Sequence, residues 1–393
     1  MMTRKALSTV SLVACVSAIT LHAAEPARPG STVRLCAAQP PSRLIDYKRS
    51  PAEALAEVDR TLAELEKTVH RAGAAGCDAF ALPEDTLGLV HWEAGNKKVL
   101  REVLPAAVAR MLDRLGRAAA AHRMYLVCSS DTVEPDEKYR NMAFFLGRDG
   151  KEIGRYQKVH PAISETDHER GAAFPVFETP DLGGVGMLIC YDMVMPESSR
   201  SLAMAGADVI FLVTLGGATT AGDPDSDDES LNRASFRTRA ADNFVYVVVA
   251  KRGGGAIIIS PQGKVLAEGK APGDIVTADV NPFAGRQAGD AWNVQTDMRA
   301  RLFRERTPAA YGILTDPAPP VLKKIPEAIT PREALRIAEG AMTVGSDRFS
   351  KAEALLRAGR TEEAIRAFEK LRADYPTTWI DRAAGAHLAK LKR

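Results

Sequence analysis

Residues 185–192 read Val185-Gly-Met-Leu-Ile-Cys190-Tyr-Asp192, a continuous apolar run that ends on a cysteine, a tyrosine and an aspartate. A short run of this kind between turn signals is typical of a buried strand, which we predict over Val185 to Cys190. Pro196 to Ala205 then predicts a helix, and Asp208 to Thr214 predicts a second strand. Cys190 is therefore expected at the carboxyl end of a strand, where open α/β sheets collect ligands and catalytic groups.

The alternation of strands and helices continues in both directions. Ser50-Pro-Ala-Glu53 is a capping box with proline at the first helical position, and it predicts a helix. Further helices are predicted over residues 98–122 and 231–243. Further strands are predicted over residues 32–39, 79–83, 124–130, 141–146, 153–158, 244–251, 256–260, 264–268 and 275–280. Two of the connections, Arg148-Asp-Gly150 and Pro261-Gln-Gly263, are hairpin turns, so the pattern indicates an α/β layered fold with mixed sheets.

Length and composition exclude several classes of protein. The chain has 393 residues, of which 46% are hydrophobic and 26% charged, so it is long and apolar enough for two globular domains. A net charge of +2 provides no field that would attract nucleic acid. Five cysteines are too few for a disulfide scaffold. Neither a Gly-x-Gly-x-x-Gly motif nor a P-loop is present, so no nucleotide cofactor is predicted.

The first residues are typical of a secretory signal peptide. Arg4 and Lys5 precede an apolar stretch that ends near Ala24, so residues 1–24 are predicted to be removed and the protein to be periplasmic or secreted. Two alternatives are a retained membrane anchor and a lipoprotein, because Leu12-Val-Ala-Cys15 resembles a lipoprotein box that would lipidate Cys15. The apolar stretch continues past Cys15, which argues against lipidation.

Three polar side chains are predicted at the carboxyl ends of strands. Glu84 follows Phe80-Ala-Leu-Pro83, Lys158 ends Gly154-Arg-Tyr-Gln157, and Cys190 ends the strand described above. Singly, each has an ordinary explanation, a surface charge or a small core residue. Together they form a coherent set: a thiol nucleophile, a carboxylate that transfers its proton, and an ammonium that stabilises an oxyanion and favours the thiolate.

The sequence around these residues resembles the nitrilase superfamily of carbon–nitrogen hydrolases. The similar motifs are Phe80-Ala-Leu-Pro-Glu84, Tyr156-Gln-Lys-Val-His160 and Gly186-Met-Leu-Ile-Cys-Tyr-Asp192, in the family's order. Later segments similar to the family are Ala205-Gly-Ala-Asp208, Arg239-Ala-Ala-Asp-Asn243 and Ile259-Ser-Pro-Gln-Gly263. The resemblance implies an αββα four-layer sandwich over residues 32–315.

The resemblance also implies the roles of the site residues. Glu84 would be the general base and acid, Lys158 the oxyanion stabiliser, and Cys190 the nucleophile that forms a thioester. The backbone N–H of Tyr191 would be a second oxyanion donor. A second glutamate often follows the lysine in this family, and Glu165 is the better candidate, with Glu169 as the alternative.

The residues after the cysteine and the loop beyond them bear on the substrate. Tyr191-Asp192 resembles the amidase and carbamoylase branches rather than true nitrilases. The segment from Leu215 to Ser230 departs from the family pattern, so it gives no substrate. Its acidic run from Asp223 to Glu229 partly matches a calcium loop but lacks the central glycine and the terminal glutamate, and we predict no metal site.

The C-terminal part of the chain has a different composition. Residues 316–324 form a proline-rich predicted linker, and residues 325–393 predict a small all-α segment that begins at a capping box, Thr330-Pro-Arg-Glu333. Ser350 to Pro376 resembles one tetratricopeptide repeat. Its apolar face must be covered by its own chain, a dimer partner or another protein. No catalytic motif lies there, which predicts that a chain ending near Thr315 still hydrolyses amides.

These observations predict an exported, homo-oligomeric hydrolase without a cofactor that acts on a linear amide or N-carbamoyl compound and releases ammonia or an amine. The alternative is a non-catalytic binding protein in which a hydrolase-like domain supports a contact made by the C-terminal helices with a protein partner.

Overall fold

The computed structural model describes residues 32–215, 231–284, 287–288, 296–326 and 329–391. The predicted signal peptide with Cys15 and the acidic run from Asp223 to Glu229 lie outside these ranges. Within them, no helix combines the length and the apolarity needed to cross a membrane.

In the described part of the chain, twelve strands form two six-stranded sheets, and two further strands of two residues pair with each other. The strands are β1 Val33–Gln39, β2 Ala79–Ala81, β3 Tyr125–Val133, β4 Tyr139–Leu146, β5 Glu152–Gln157, β6 Val176–Thr179, β7 Gly183–Ile189, β8 Ala207–Thr214, β9 Tyr246–Lys251, β10 Ile257–Ile259, β11 Val265–Glu268, β12 Asp274–Val280, β13 Gln287–Ala288 and β14 Thr296–Asp297. The strand order is β12-β1-β2-β3-β4-β5 in the first sheet and β11-β10-β9-β8-β7-β6 in the second.

Helices separate and follow the strands along the chain. They are α1 Pro51–Ala74, α2 Val90–Gly95, α3 Leu100–Ala120, α4 Pro196–Met204, α5 Leu231–Asn243 and α6 Met298–Arg304, followed by α7 Pro331–Gly340, α8 Ser346–Arg357, α9 Thr361–Asp374 and α10 Trp379–Leu391. The capping box at Ser50 is present, with Glu53 as its partner. One apolar core packs α1 and α3 on the first sheet, and a second joins the two sheets and α4 and α5. The predicted αββα sandwich of mixed sheets is therefore confirmed.

The strand directions bring the predicted site residues to one edge. β1, β2 and β3 are parallel, and β5 runs the same way because it pairs antiparallel with β4, which pairs antiparallel with β3. The segments after β2 and β5 therefore leave the first sheet at the same edge. In the second sheet β7, β8 and β9 are parallel.

Several features were not predicted from the sequence, α6, β13 and β14 among them. β6 and α2 are short elements without a clear hydrophobic period. A disulfide bond joins Cys36 on β1 to Cys77, 41 residues later, whereas the cysteine count alone led us to expect no disulfide framework.

The predicted all-α C-terminal segment is confirmed. After two 3₁₀ turns, Pro308–Thr315 and Pro320–Lys324, α7 continues through a π-helical turn at Ala341–Gly345 into α8. α8, α9 and α10 share an apolar core of their own, with Phe349, Phe368 and Leu371 inside it. The apolar face of the repeat-like segment is thus covered by its own chain.

Candidate active site

Glu84 lies three residues beyond β2, in a buried turn at the edge of the first sheet. Its carboxylate is 2% exposed and accepts three hydrogen bonds, from Lys158 Nζ (3.0 Å), Asn141 Nδ2 (3.0 Å) and the Leu215 backbone N–H (3.0 Å). Three donors around one buried carboxylate satisfy its need for partners and fix its orientation.

Arg252 fixes the backbone of this turn through hydrogen bonds to Glu84 and Asp85. Asp85 has a φ of +48°, a left-handed conformation that is rare outside glycine. The Arg252 guanidinium donates to the Asp85 carbonyl, to the Asp85 carboxylate (3.1 Å) and to the Glu84 carbonyl (3.3 Å). Arg252 was not among the sequence candidates, since its partners are more than 160 residues away in the chain.

Lys158 directly follows β5 and is 2% exposed. Its ammonium lies between two carboxylates, 3.0 Å from Glu84 Oε1 and 2.9 and 2.7 Å from the two Glu165 oxygens. Burial alone would lower the pKa of Lys158, but Glu84 and Glu165 raise it well above its usual value. The side chain is therefore a fixed positive charge.

Glu165, and not Glu169, lies against the lysine. Glu165 ends a 3₁₀ turn, Ile163–Glu165, and also accepts hydrogen bonds from the Ala162 backbone N–H (2.7 Å) and Asn141 Nδ2 (3.2 Å). Burial would raise the pKa of Glu165, but the Lys158 ammonium lowers it, so this carboxyl is ionised. Glu169 instead forms an ion pair with Lys138 near the surface (2.8 Å).

Asn141, on β4, connects the two carboxylates because its amide nitrogen donates to both. The loop after Lys158 returns closely to β5 at Gly171, where an added Cβ would lie 2.2 Å from the carbonyl oxygen of Gln157. Only glycine permits that approach. Asn141 was not singled out from the sequence, where it is one polar residue in an apolar strand.

Cys190 follows β7 directly and begins a 3₁₀ turn, Cys190–Val194. Its φ of +46° is a strained conformation of the kind found at functional turns. Asp192, fully buried, holds the turn by accepting hydrogen bonds from the Ile189 N–H (3.1 Å) and the Tyr156 hydroxyl (2.7 Å). It also accepts a hydrogen bond from the His160 backbone N–H (2.8 Å), two residues after Lys158. Asp192 thus joins the lysine and cysteine segments.

The resting cysteine is a thiol. Burial and the Glu84 carboxylate raise the pKa of Cys190 to about 12, although the Lys158 ammonium and the Thr214 hydroxyl act in the opposite direction. The Lys158 ammonium does favour the thiolate, as expected from the sequence, but burial and the Glu84 carboxylate outweigh it. Both Glu84 and Lys158 act on Cys190, which places the three groups in one electrostatic site.

Tyr191 is the second residue of this turn, and its side chain is 39% exposed. The first N–H groups of a helical turn have no partner within the turn. Its backbone N–H is thus suited to donate to an oxygen bound beside Cys190. Among the described residues, no three His, Cys, Asp or Glu side chains are grouped so as to hold a metal ion. The site therefore offers a thiol, a carboxylate able to take its proton, and a fixed cation.

Comparison with known proteins gives matches to one family. The family model for carbon–nitrogen hydrolase matches residues 33–288. Formamidases from Bacillus cereus (strain AH820) and Bacillus anthracis are 28% identical over 271 residues, which is 65% of this chain and 78% of theirs.

Solved structures share the fold. An amidase from Nesterenkonia sp. superposes with a TM-score of 0.52 at 22% identity, over 64% of this chain and 90% of its own. A mutant of the amidase from Nesterenkonia sp. AN1, with the acetamide moiety of fluoroacetamide covalently added at its active-site cysteine, gives a TM-score of 0.55 at 20% identity over 73% of this chain and 98% of its own.

Proposed function

The chain belongs to the carbon–nitrogen hydrolase family, and we propose that it hydrolyses a linear amide or N-carbamoyl compound through a thioester on Cys190. The observation that carries the proposal is the buried Lys158 ammonium held between Glu84 and Glu165, beside a strained turn that presents a thiol. A buried, fully paired charge cluster that perturbs the pKa of a cysteine is typical of catalytic sites.

In the first half-reaction, Cys190 Sγ attacks the substrate carbonyl carbon while Glu84 takes the thiol proton. Because the pKa of Cys190 is about 12, attack at neutral pH requires this proton transfer. The negative charge on the former carbonyl oxygen is stabilised by the Lys158 ammonium and the Tyr191 N–H. Collapse of the tetrahedral intermediate breaks the carbon–nitrogen bond, and Glu84 returns its proton to the leaving ammonia or amine.

In the second half-reaction, water attacks the thioester carbonyl while Glu84 takes a proton from it. Collapse of the second intermediate releases the carboxylic or carbamic acid and returns the proton to the sulfur. Glu165 stays ionised throughout and holds Lys158 in place, together with Asn141. The acid and base roles thus fall on one carboxylate.

The substrate class is supported by the names of the similar proteins, the Bacillus formamidases and the Nesterenkonia amidase. The test is ammonia release from a panel of simple amides, N-carbamoyl compounds and nitriles, with Cys190→Ala as the control. Hydrolysis of an amide or a carbamoyl compound that disappears in the control is the expected result. A folded protein inactive on the whole panel would refute the proposal and favour the non-catalytic binding protein.

We further propose that the protein is exported. Besides the signal-like N-terminus, the Cys36–Cys77 disulfide supports this, because such bonds persist in oxidising compartments and are rare in the cytosol. Mass determination of the mature N-terminus tests the proposal. A first residue near Glu25 is expected, whereas a diacylglyceryl-modified Cys15 would establish the lipoprotein alternative.

A homo-oligomer, and a tetratricopeptide-like role for α8 and α9 in binding a protein partner, are the remaining proposals. Sedimentation of the purified chain tests the first. Loss of a co-purifying protein after deletion of residues 346–391 tests the second.

A further inference from the structure

The C-terminal helical segment packs on the catalytic domain at the turn that carries Glu165. α7 lies against Ile163–Glu165 and against α2. Its buried residues, Ala334 and Ile337, are three apart and therefore share one helix face. Ala334 and Ile337 lie outside the apolar core of α8, α9 and α10, and the elements that α7 contacts most are the Ile163–Glu165 turn, the π-helical turn that follows α7, and α2.

Polar contacts reinforce this packing directly after Glu165. The Thr166 hydroxyl donates to the carbonyl of Pro331, the first residue of α7 (3.3 Å). The Lys97 ammonium pairs with Asp167 (2.7 Å) and is 3.9 Å from Glu339 near the end of α7. The two residues that follow Glu165 are therefore each connected to α7.

A second anchor lies further along the segment. The carboxylate of Asp347, on α8, accepts a hydrogen bond from the Tyr47 hydroxyl (2.8 Å) and pairs with Lys48 (2.5 Å). Because α8, α9 and α10 have their own core, they act as a compact body that holds α7 against the catalytic domain.

We propose that this helical segment is a positioning element for the catalytic site. α7 holds the 3₁₀ turn in place, so that Glu165 keeps the Lys158 ammonium within hydrogen-bond distance of Glu84. The inference rests on the proposed hydrolysis. It reverses the expectation from the sequence that a chain ending near Thr315 keeps its catalysis, because the segment contributes no catalytic residue but supports one.

The test uses the full chain with Ile337→Asp, which puts a carboxylate into the buried face of α7. Val344→Asp is the matched control, because Val344 is also a branched aliphatic residue, in the π-helical turn after α7, but is 54% exposed. Ile337→Asp should lower kcat about tenfold to a hundredfold, the cost of a small misplacement of a catalytic group, with little change in KM. Ile337→Val and the control should behave like the unmodified chain.

A double-mutant cycle separates positioning from general destabilisation. If α7 acts through Glu165, adding Ile337→Asp to Glu165→Gln should cost about twofold or less, because the group it positions is already impaired. A full additional loss in the double variant would overturn the proposal. Lys97→Met, which leaves α7 itself unchanged, should give a smaller loss of kcat with the same dependence on Glu165.

Amide hydrogen exchange tests the docking without any turnover. The Glu165, His168 and Glu169 amides donate to backbone carbonyls within or beside this loop. Their exchange should quicken in Ile337→Asp and not in Val344→Asp. Unchanged exchange, or faster exchange with unchanged kcat, would overturn the positioning role. Absence of amide hydrolysis by the unmodified chain would instead refute the proposed function, so the two failures are distinguishable.

Discussion

Replacing Glu84 with glutamine preserves the shape of the side chain and removes the group proposed to take the Cys190 proton. With a pKa of about 12, forming the Cys190 thiolate at pH 7 costs about 7 kcal/mol if the proton goes to water. A positioned general base is worth about 10²- to 10⁴-fold in rate. We therefore expect Glu84→Gln to lower kcat by about a thousandfold.

The same substitution should make the thiol easier to ionise. After burial, the negative charge of Glu84 is the main cause of the raised pKa of Cys190. Without it, the pH profile for alkylation of Cys190 by iodoacetamide should move to lower pH by about 1 to 3 units. Turnover and alkylation at neutral pH thus respond in opposite directions, which a misfolded variant would not reproduce.

The measurements are ammonia release under saturating substrate and mass-spectrometric alkylation rates of Cys190 between pH 6 and 10. Glu169→Gln is the matched control, because it neutralises a carboxylate on the same loop that pairs with Lys138 at the surface. The reasoning is refuted if Glu84→Gln retains most of its turnover, or if its alkylation profile moves to higher pH. Thermal unfolding of both variants shows that each is folded.

Lys158→Met should lower kcat far more than it raises KM, because the ammonium acts on the oxyanion; steady-state kinetics with a rise in KM alone would assign Lys158 to substrate binding. Burial would lower the pKa of His168, but Asp131 raises it to about 9, above its unfolded value near 6.5. Protonated His168 therefore stabilises the folded state by about 3 kcal/mol below pH 6.5, and this contribution is lost as the pH rises through 9. Denaturant unfolding at several pH values should detect the decline, and His168→Gln should lack it. Replacing both Cys36 and Cys77 with alanine should destabilise the fold by about 4 kcal/mol, because the unfolded chain gains entropy when a loop of this length is no longer closed. An unchanged melting temperature would show that the bond contributes nothing.

Local sequence pattern was sufficient for the layers and for the strand ends. The run from Val185 to Cys190 and the capping box at Ser50 involve neighbouring residues, and the structure has the predicted strand and helix there. Glu84 and Lys158 were identifiable because strands that run the same way in one sheet end at the same edge. Their catalytic roles are what the family resemblance implies.

The supporting contacts depend on distance in space rather than in sequence. Arg252 reaches the Asp85 turn across 167 residues, and Thr166 reaches Pro331 across 165. No periodicity or motif in the chain joins such pairs. Neither the contact of Arg252 with the turn that carries Glu84 nor the packing of α7 on the turn that carries Glu165 could therefore be predicted.

The protonation state of Cys190 likewise could not be predicted from the sequence. The residue types at the site were readable from the sequence, and a nearby lysine suggested a thiolate at Cys190. Whether that thiol ionises depends on its burial and on how many carboxylates share the lysine, and both are set by packing. The sequence alone therefore determined the layers of the fold and the identity of the reactive groups. The tertiary structure decided the protonation states of those groups and the contacts that hold them in place, because desolvation and electrostatic interactions depend on distances that only the folded chain defines.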